Sequence, residues 1–168
     1  MTIYYTGRGD KGKSDMGAKK IAKDHPIFEV LGALDELSSW LGMCQYKKLA
    51  QIQEDLFIAQ AEIGLTAMGK KSKIMITKEK TDRLEREIIE IDKKVPPIKK
   101  FIIPGGSELS AKLDYARALA RRAERTAVSA KVSPELLQYL NRLSSILFAF
   151  ARLVNYEKKV REKHPSYK

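Results

Sequence analysis

Cysteine and histidine are both scarce in this chain, and it has no long apolar run. The single cysteine, Cys44, excludes an intrachain disulfide framework and any multi-cysteine zinc or iron–sulfur site. It reads as a small buried apolar residue rather than a nucleophile. The two histidines, His25 and His164, have no acid three residues before them. That excludes the Glu-x-x-His pairs of di-iron helical bundles, and both read as loop residues. No Ser/His/Asp or Cys/His arrangement suggests itself. No apolar run reaches the roughly 18 residues of a membrane span. The opening residues carry no hydrophobic signal core, so the expected location is the cytoplasm.

What is present is a balanced globular composition carrying a large charge excess. Of 168 residues, 43% are hydrophobic and 32% charged, which excludes wholesale disorder. The length suits a single domain, 1–168, divided into an N-terminal loop over 1–26, helices over 27–156 and a basic tail over 157–168. A net charge of +11 calls for a polyanionic partner. Nucleic acid and the phosphate chain of a nucleotide are the two choices, and the position of the charges decides between them.

Residues 1–26 are rich in glycine and lysine and lack helical periodicity. They predict a short extended start at Thr2–Tyr5, then a loop. From Ile27, apolar residues recur at helical spacing through Val30, Leu34, Leu37 and Leu41, predicting a helix to about Lys47. Ile52, Leu56, Ala59 and Ile63 mark a second, ending near Gly69. Thr77 is the expected cap of a third, lined by Leu84, Ile88, Ile91 and Val95 and stopped by Pro96-Pro97. Ser107 caps a fourth with an alanine-rich core face. Ser133-Pro134-Glu135 starts a fifth, reaching about Tyr156, with serine at the cap, proline in the first turn and an acid beside it. Phe101–Ile103 is the only other strand-like run. The expected fold is all-α, an antiparallel five-helix bundle, with the final basic residues frayed in solvent.

Gly7-Arg8-Gly9-Asp10-Lys11-Gly12 fits a dinucleotide fingerprint, and Gly7 through Ser14 fits the P-loop pattern. Both motifs need a parallel αβ sheet, for which this chain has no strands, so both folds are rejected. The loop's chemistry survives. Glycines let backbone N–H groups converge on an anion, Arg8, Lys11 and Lys13 add charge, and Thr6 and Ser14 add hydroxyls. Asp10 would repel a phosphate unless a metal or lysine meets it. On composition alone, a solvated lysine-rich N-terminus accounts for the segment equally well.

On the fourth helix, Arg117, Arg121, Glu124 and Arg125 share one stripe, with Arg122 towards its side. Guanidinium forks suit bidentate phosphate binding, although a lone stripe of this kind is commonly a solvated face. On the fifth helix Asn141, Ser144, Ser145, Phe148 and Arg152 form a polar strip that needs partners. Asp35 and Glu36 break the first helix's apolar run. From sequence, Asp35 is equally a surface acid or one half-buried against an arginine.

In four separated blocks, YTGRGDKGKS (5–14), LGALDELSSWLG (31–42), KFIIPGGSELSAKLDYARALARRAER (100–125) and YLNRLSSILFAFAR (139–152), the chain resembles the PduO-type ATP:cob(I)alamin adenosyltransferases. The resemblance implies a five-helix bundle with ferritin-like packing, a homotrimer with active sites between subunits, and transfer of the 5′-deoxyadenosyl group of ATP to the cobalt of reduced cobalamin. It implies that Thr6, Gly7, Arg8, Gly9, Asp10, Lys11, Gly12 and Ser14, with Lys23, wrap the triphosphate, with Mg²⁺ bound mainly through the phosphates. Arg121, Arg122, Glu124, Arg125 and Asn141 would contact the nucleotide from a neighbouring subunit. Asp35 and Arg117 would form a salt bridge near the corrinoid, and Phe101 would help displace cobalamin's lower axial ligand. The sequence departs from the family at Ser145, where an aspartate is usual, at Lys13-Ser14 and at Gly7. Two other classes compete. One is a basic helical nucleic-acid-binding protein, against which stands the clustering of the arginines with Glu124 and Asn141. The other is a bundle that carries ATP or corrinoid without turnover.

Overall fold

A computed structural model describes residues 4–167. The described elements are a hairpin of β1 (Lys13–Met16) and β2 (Lys19–Ala22), then α1 (Pro26–Cys44), α2 (Ala50–Ala67), α3 (Lys78–Asp92), α4 (Glu108–Ala130) and α5 (Pro134–Glu157). A short 3-10 turn, Lys47–Leu49, leads into α2. The all-α bundle expected from the periodicity is the observed architecture. Helix α4 packs between α1 and α5, α2 lies against α1, and α3 against α5.

The core follows from the spacing of the apolar residues. Val30, Leu34, Leu37 and Leu41 of α1 and Leu136, Leu140, Leu143 and Leu147 of α5 are all essentially inaccessible. Between them α4 offers mainly small residues: Ala116, Ala120, Ala123 and Ala127 are completely buried. Small side chains on the central helix let both neighbours approach closely, which brings its arginines near the polar strip of α5.

Caps set the helix starts. Ser107 and Ser133 accept bonds from Ser110 N–H and Leu136 N–H respectively. His25 takes the same role at α1, its Nδ1 accepting from Ile27 N–H, with Pro26 in the first turn. Helix α1 ends at Cys44 rather than Lys47 because Gln45 turns into the left-handed region, φ 49°. Helix α2 starts two residues before its first apolar marker, Ile52, and ends at Ala67, two residues short of Gly69, and α3 stops at Asp92, short of Val95, which is buried beyond the helix end.

Three expectations require correction. Of the extended start, Thr2 and Ile3 lie outside the described residues, and Tyr4 and Tyr5 form no strand. The strands fall instead at β1 and β2, paired antiparallel from Lys13↔Ala22 to Met16↔Lys19. Polar lysines on a two-stranded ribbon hide its alternation, but Gly17, φ 64°, supplies the turn and packs on Met68. Phe101–Ile103 belongs to no sheet. Third, the tail is not frayed: it folds back on the segment between α3 and α4. Lys159, φ 55°, reverses the chain, Ile103 N–H donates to Lys163 O at 2.8 Å, and Arg152 Nε donates to Glu162 at 2.7 Å.

One buried ionic cluster joins α2, α3 and α5. Asp55 is completely buried and accepts from Lys80 at 2.6 Å, from Arg83, and from Tyr139 Oη at 2.9 Å. Burial and the neighbouring carboxylate push the Tyr139 phenol well above its ordinary pKa, so it acts as a donor. Removing the acid leaves two cations without their anion. Asp55→Ala is therefore expected to lower the unfolding free energy by about 3–5 kcal/mol, read as a shift in the urea midpoint.

Candidate functional site

The segment between α3 and α4 forms one wall of a cavity of about 690 Å³. Ile98, Lys99, Lys100, Phe101 and Ile102 line it from the segment, Arg117 and Arg121 from α4, and Ser144, Ser145 and Phe148 from α5. Four cations and no carboxylate face this space. A smaller cavity of about 210 Å³ adjoins it and shares Ile98, Ser145 and Phe148.

Phe101 is 77% exposed, so its ring stands at the cavity rather than in the core. The glycine pair behind it fixes the wall's end. Gly105 N–H donates to Asp114 at 2.8 Å, and Asn155, buried, accepts from Ser107 N–H and donates to Gly105 O. Gly106 has φ 108°, and a Cβ there would lie 2.5 Å from Asn155 Nδ2, so only glycine fits. Burial raises the pKa of Asp114, partly opposed by the bond from Gly105.

The arginine stripe separates into distinct roles. Arg117 and Arg121 face the cavity, and Arg117 Nε is enclosed with no hydrogen-bond partner among the described residues. Arg125 donates to Arg121 O at 3.2 Å and stays exposed. Glu124 accepts from Asn141 Nδ2 at 2.8 Å, and Asn141 in turn accepts from Arg142, which holds the amide's orientation. Arg122 points elsewhere, pairing with Glu36 of α1. Asp35 is exposed, and no ion pair joins it to Arg117 within the chain. The polar strip of α5 also divides: Ser144 and Ser145 face the cavity, whereas Arg152 is buried between Glu162 and Pro96 O.

The N-terminal loop is a second cationic site. Gly7 and Gly12, φ 68° and 73°, permit two successive turns closed by Asp10 N–H to Gly7 O and Gly12 N–H to Gly9 O. Lys23 N–H donates to Gly12 O at 2.9 Å, tying the loop to the strand end of the hairpin. Its ammonium then lies so close to Gly9 that a Cβ there would fall 2.9 Å from Nζ. Arg8 N–H donates to Thr6 Oγ1, and the Arg8 guanidinium stands 3.9 Å from Asp15. Lys11 and Ser14 belong to the same turn and its first strand. Among the described residues no group of three or more His, Cys, Asp or Glu is arranged to hold a metal ion. None of the loop residues lines the cavity at Arg121. Among the described residues, no hydrogen bond or ion pair joins the loop to the arginine stripe.

Lys99 and Lys100 had escaped sequence reasoning as cavity residues; their position directly before Phe101 was the only signal. Cys44 is buried as expected, and burial raises its thiol pKa, leaving it protonated and inert.

A helical bundle with an acid-free cationic cavity and a separate glycine–lysine cradle defines an all-α protein equipped to hold anions. The chain belongs to the cobalamin adenosyltransferase family, whose family model matches residues 4–154. It is 36% identical over 167 residues to a corrinoid adenosyltransferase of Bacillus subtilis, covering 90% of this chain and 86% of that protein. It is also 36% identical to the corrinoid adenosyltransferase PduO of Citrobacter freundii, of which it spans 50%. Its fold matches a variant PduO-type ATP:corrinoid adenosyltransferase from Lactobacillus reuteri, complexed with cobalamin and ATP, with a TM-score of 0.91 and 31% identity over 97% of this chain and 96% of that one.

Proposed function

We propose that this protein transfers the 5′-deoxyadenosyl group of ATP to the cobalt of cob(I)alamin and releases triphosphate. The observation that carries the reading is the cavity itself: Phe101 stands on one wall, Arg117 and Arg121 on another, and no acid faces the space. The net charge of +11 then meets its polyanion in ATP. The relatives' activities and the family match support the chemical class.

The chemistry asks little of acid–base groups. The cobalt(I) electron pair attacks C5′ of ATP, the C5′–O bond breaks, and its electrons leave on the triphosphate. No proton need move, in keeping with a cavity that holds no histidine or carboxylate. The protein's work is placement and charge neutralisation. In this reading Thr6, Gly7, Arg8, Gly9, Asp10, Lys11, Gly12 and Ser14 cradle the triphosphate through backbone N–H groups, hydroxyls and cations, with Lys23 beside Gly9. Mg²⁺ would be held chiefly by the phosphate oxygens, and its charge would offset Asp10. Arg121 and Arg125, with the Glu124–Asn141 pair, contact the nucleotide from the other side. Arg122, tied to Glu36, is a peripheral contributor.

The separation of loop and stripe within one chain supports a site shared between copies, assembled as a homotrimer. The exposed Asp35 fits the same arrangement, available to a group on another copy. The expected setting is the cytoplasm. Mixing the protein with ATP, Mg²⁺ and chemically reduced cobalamin tests the reaction. The spectrum of adenosylcobalamin should appear with one triphosphate released per corrinoid. Persistence of unalkylated corrinoid, or release of pyrophosphate instead, would refute the proposed reaction.

A further inference from the structure

The segment carrying Phe101 has little structure of its own, so whatever fixes its backbone also fixes the ring. Its far end is held by Asp114 and Asn155 at Gly105. Around Phe101 the hydrogen bonds among the described residues come from the tail: His164 Nδ1 lies 2.8 Å from Phe101 O, and Ile103 N–H donates to Lys163 O at 2.8 Å. A carbonyl only accepts, so Nδ1 carries the hydrogen.

The tail is itself anchored. Glu162 pairs with Arg152, which is 6% exposed and donates a further bond to Pro96 O at 2.7 Å. Arg152 therefore ties the tail to the start of the very segment that the tail holds at its middle. The contacts close a ring from α5 through Glu162, Lys163 and His164 to Phe101, and back through Pro96 to α5. A side chain as exposed as Phe101 has few packing contacts to fix it, which leaves this ring as its main constraint.

We propose that the tail is a clamp on the Phe101 segment, and that His164 is a positioning residue for the corrinoid step, acting through the Phe101 carbonyl. The inference rests on the reading of Phe101 as the wedge that removes cobalamin's lower ligand. That ligand matters when the corrinoid arrives as cob(II)alamin and takes one electron from a reduced flavin to become cob(I)alamin. Pre-reduced cob(I)alamin carries no lower ligand to displace. A displaced ring thus slows the first route and spares the second, whereas general damage to the fold slows both.

Turnover should be measured for the wild type, His164→Ala and His164→Asn, starting either from cob(II)alamin with excess reduced flavin or from cob(I)alamin. The alanine variant is expected to lose about tenfold in kcat from cob(II)alamin, with its KM for ATP and its rate from cob(I)alamin within about twofold of wild type. Asparagine, whose amide nitrogen can replace Nδ1, should recover most of the loss. A chain ending at Glu162 keeps the Arg152 pair but removes both backbone contacts, and should show a larger loss of the same kind. Wild-type behaviour of His164→Ala from cob(II)alamin, or equal losses from both redox states, would overturn the clamp. A wild type inactive even from cob(I)alamin would instead overturn the adenosyl-transfer reading beneath it.

Discussion

Arg121→Ala is expected to lower kcat by roughly 100-fold or more, the usual effect of removing one preorganised group from developing negative charge. The C5′–O bond breaks towards the triphosphate, so negative charge on that oxygen grows as the transition state forms. A guanidinium lining the cavity stabilises that charge as it develops. The loss should fall more on kcat than on KM for ATP, because on the proposed reading the loop cations would still bind the ground-state phosphates. Stability should hardly change, since Arg121 is exposed and only its backbone carbonyl, which the substitution keeps, is bonded within the helix. Steady-state kinetics beside a thermal melt separate the two effects.

The second large effect is expected at Phe101. Phe101→Ala should leave ATP binding nearly intact and lower turnover from cob(II)alamin by about 10–100-fold. The ring makes no ionic or hydrogen-bonding contact and contributes little to the core, so its removal costs the fold little. On the proposed reading, what it removes is the apolar bulk that would exclude water and the lower ligand from one face of the cobalt. Isothermal titration with ATP, alongside rates from cob(II)alamin and cob(I)alamin, checks the division. Normal turnover from cob(II)alamin would remove the wedge from the mechanism.

The helices were readable because their signals are local and repeat. Leu34, Leu37 and Leu41, or Ser133-Pro134-Glu135, declare a buried stripe or a helix start whatever lies around them. The hairpin was not readable, since β1 and β2 are rich in lysine and bury little beyond Met16. The fold-back of the tail was hidden for a different reason. The basic run suggests solvation, and the groups that capture it are one buried arginine and two backbone atoms far away in sequence. At the site, spacing placed Arg117, Arg121 and Arg125 on one face but could not foresee that Glu36 would take Arg122. Nor does spacing tell whether Asp35 meets Arg117 within a chain or between chains. Four short blocks gave the family, because their order and separation constrain the choice far more than any one of them.

In the proposed site the glycine–lysine loop of one copy and the arginine stripe of another grip one triphosphate. Mixing two inactive variants, Lys23→Ala in the loop and Arg121→Ala in the stripe, tests it most directly once subunits have exchanged. Random assembly should leave about a quarter of the shared sites with both parts intact, and adenosylcobalamin formation should return to about that fraction of wild type. If every site were built within a single chain, each copy would keep its own defect, and the mixture would stay as inactive as its parts.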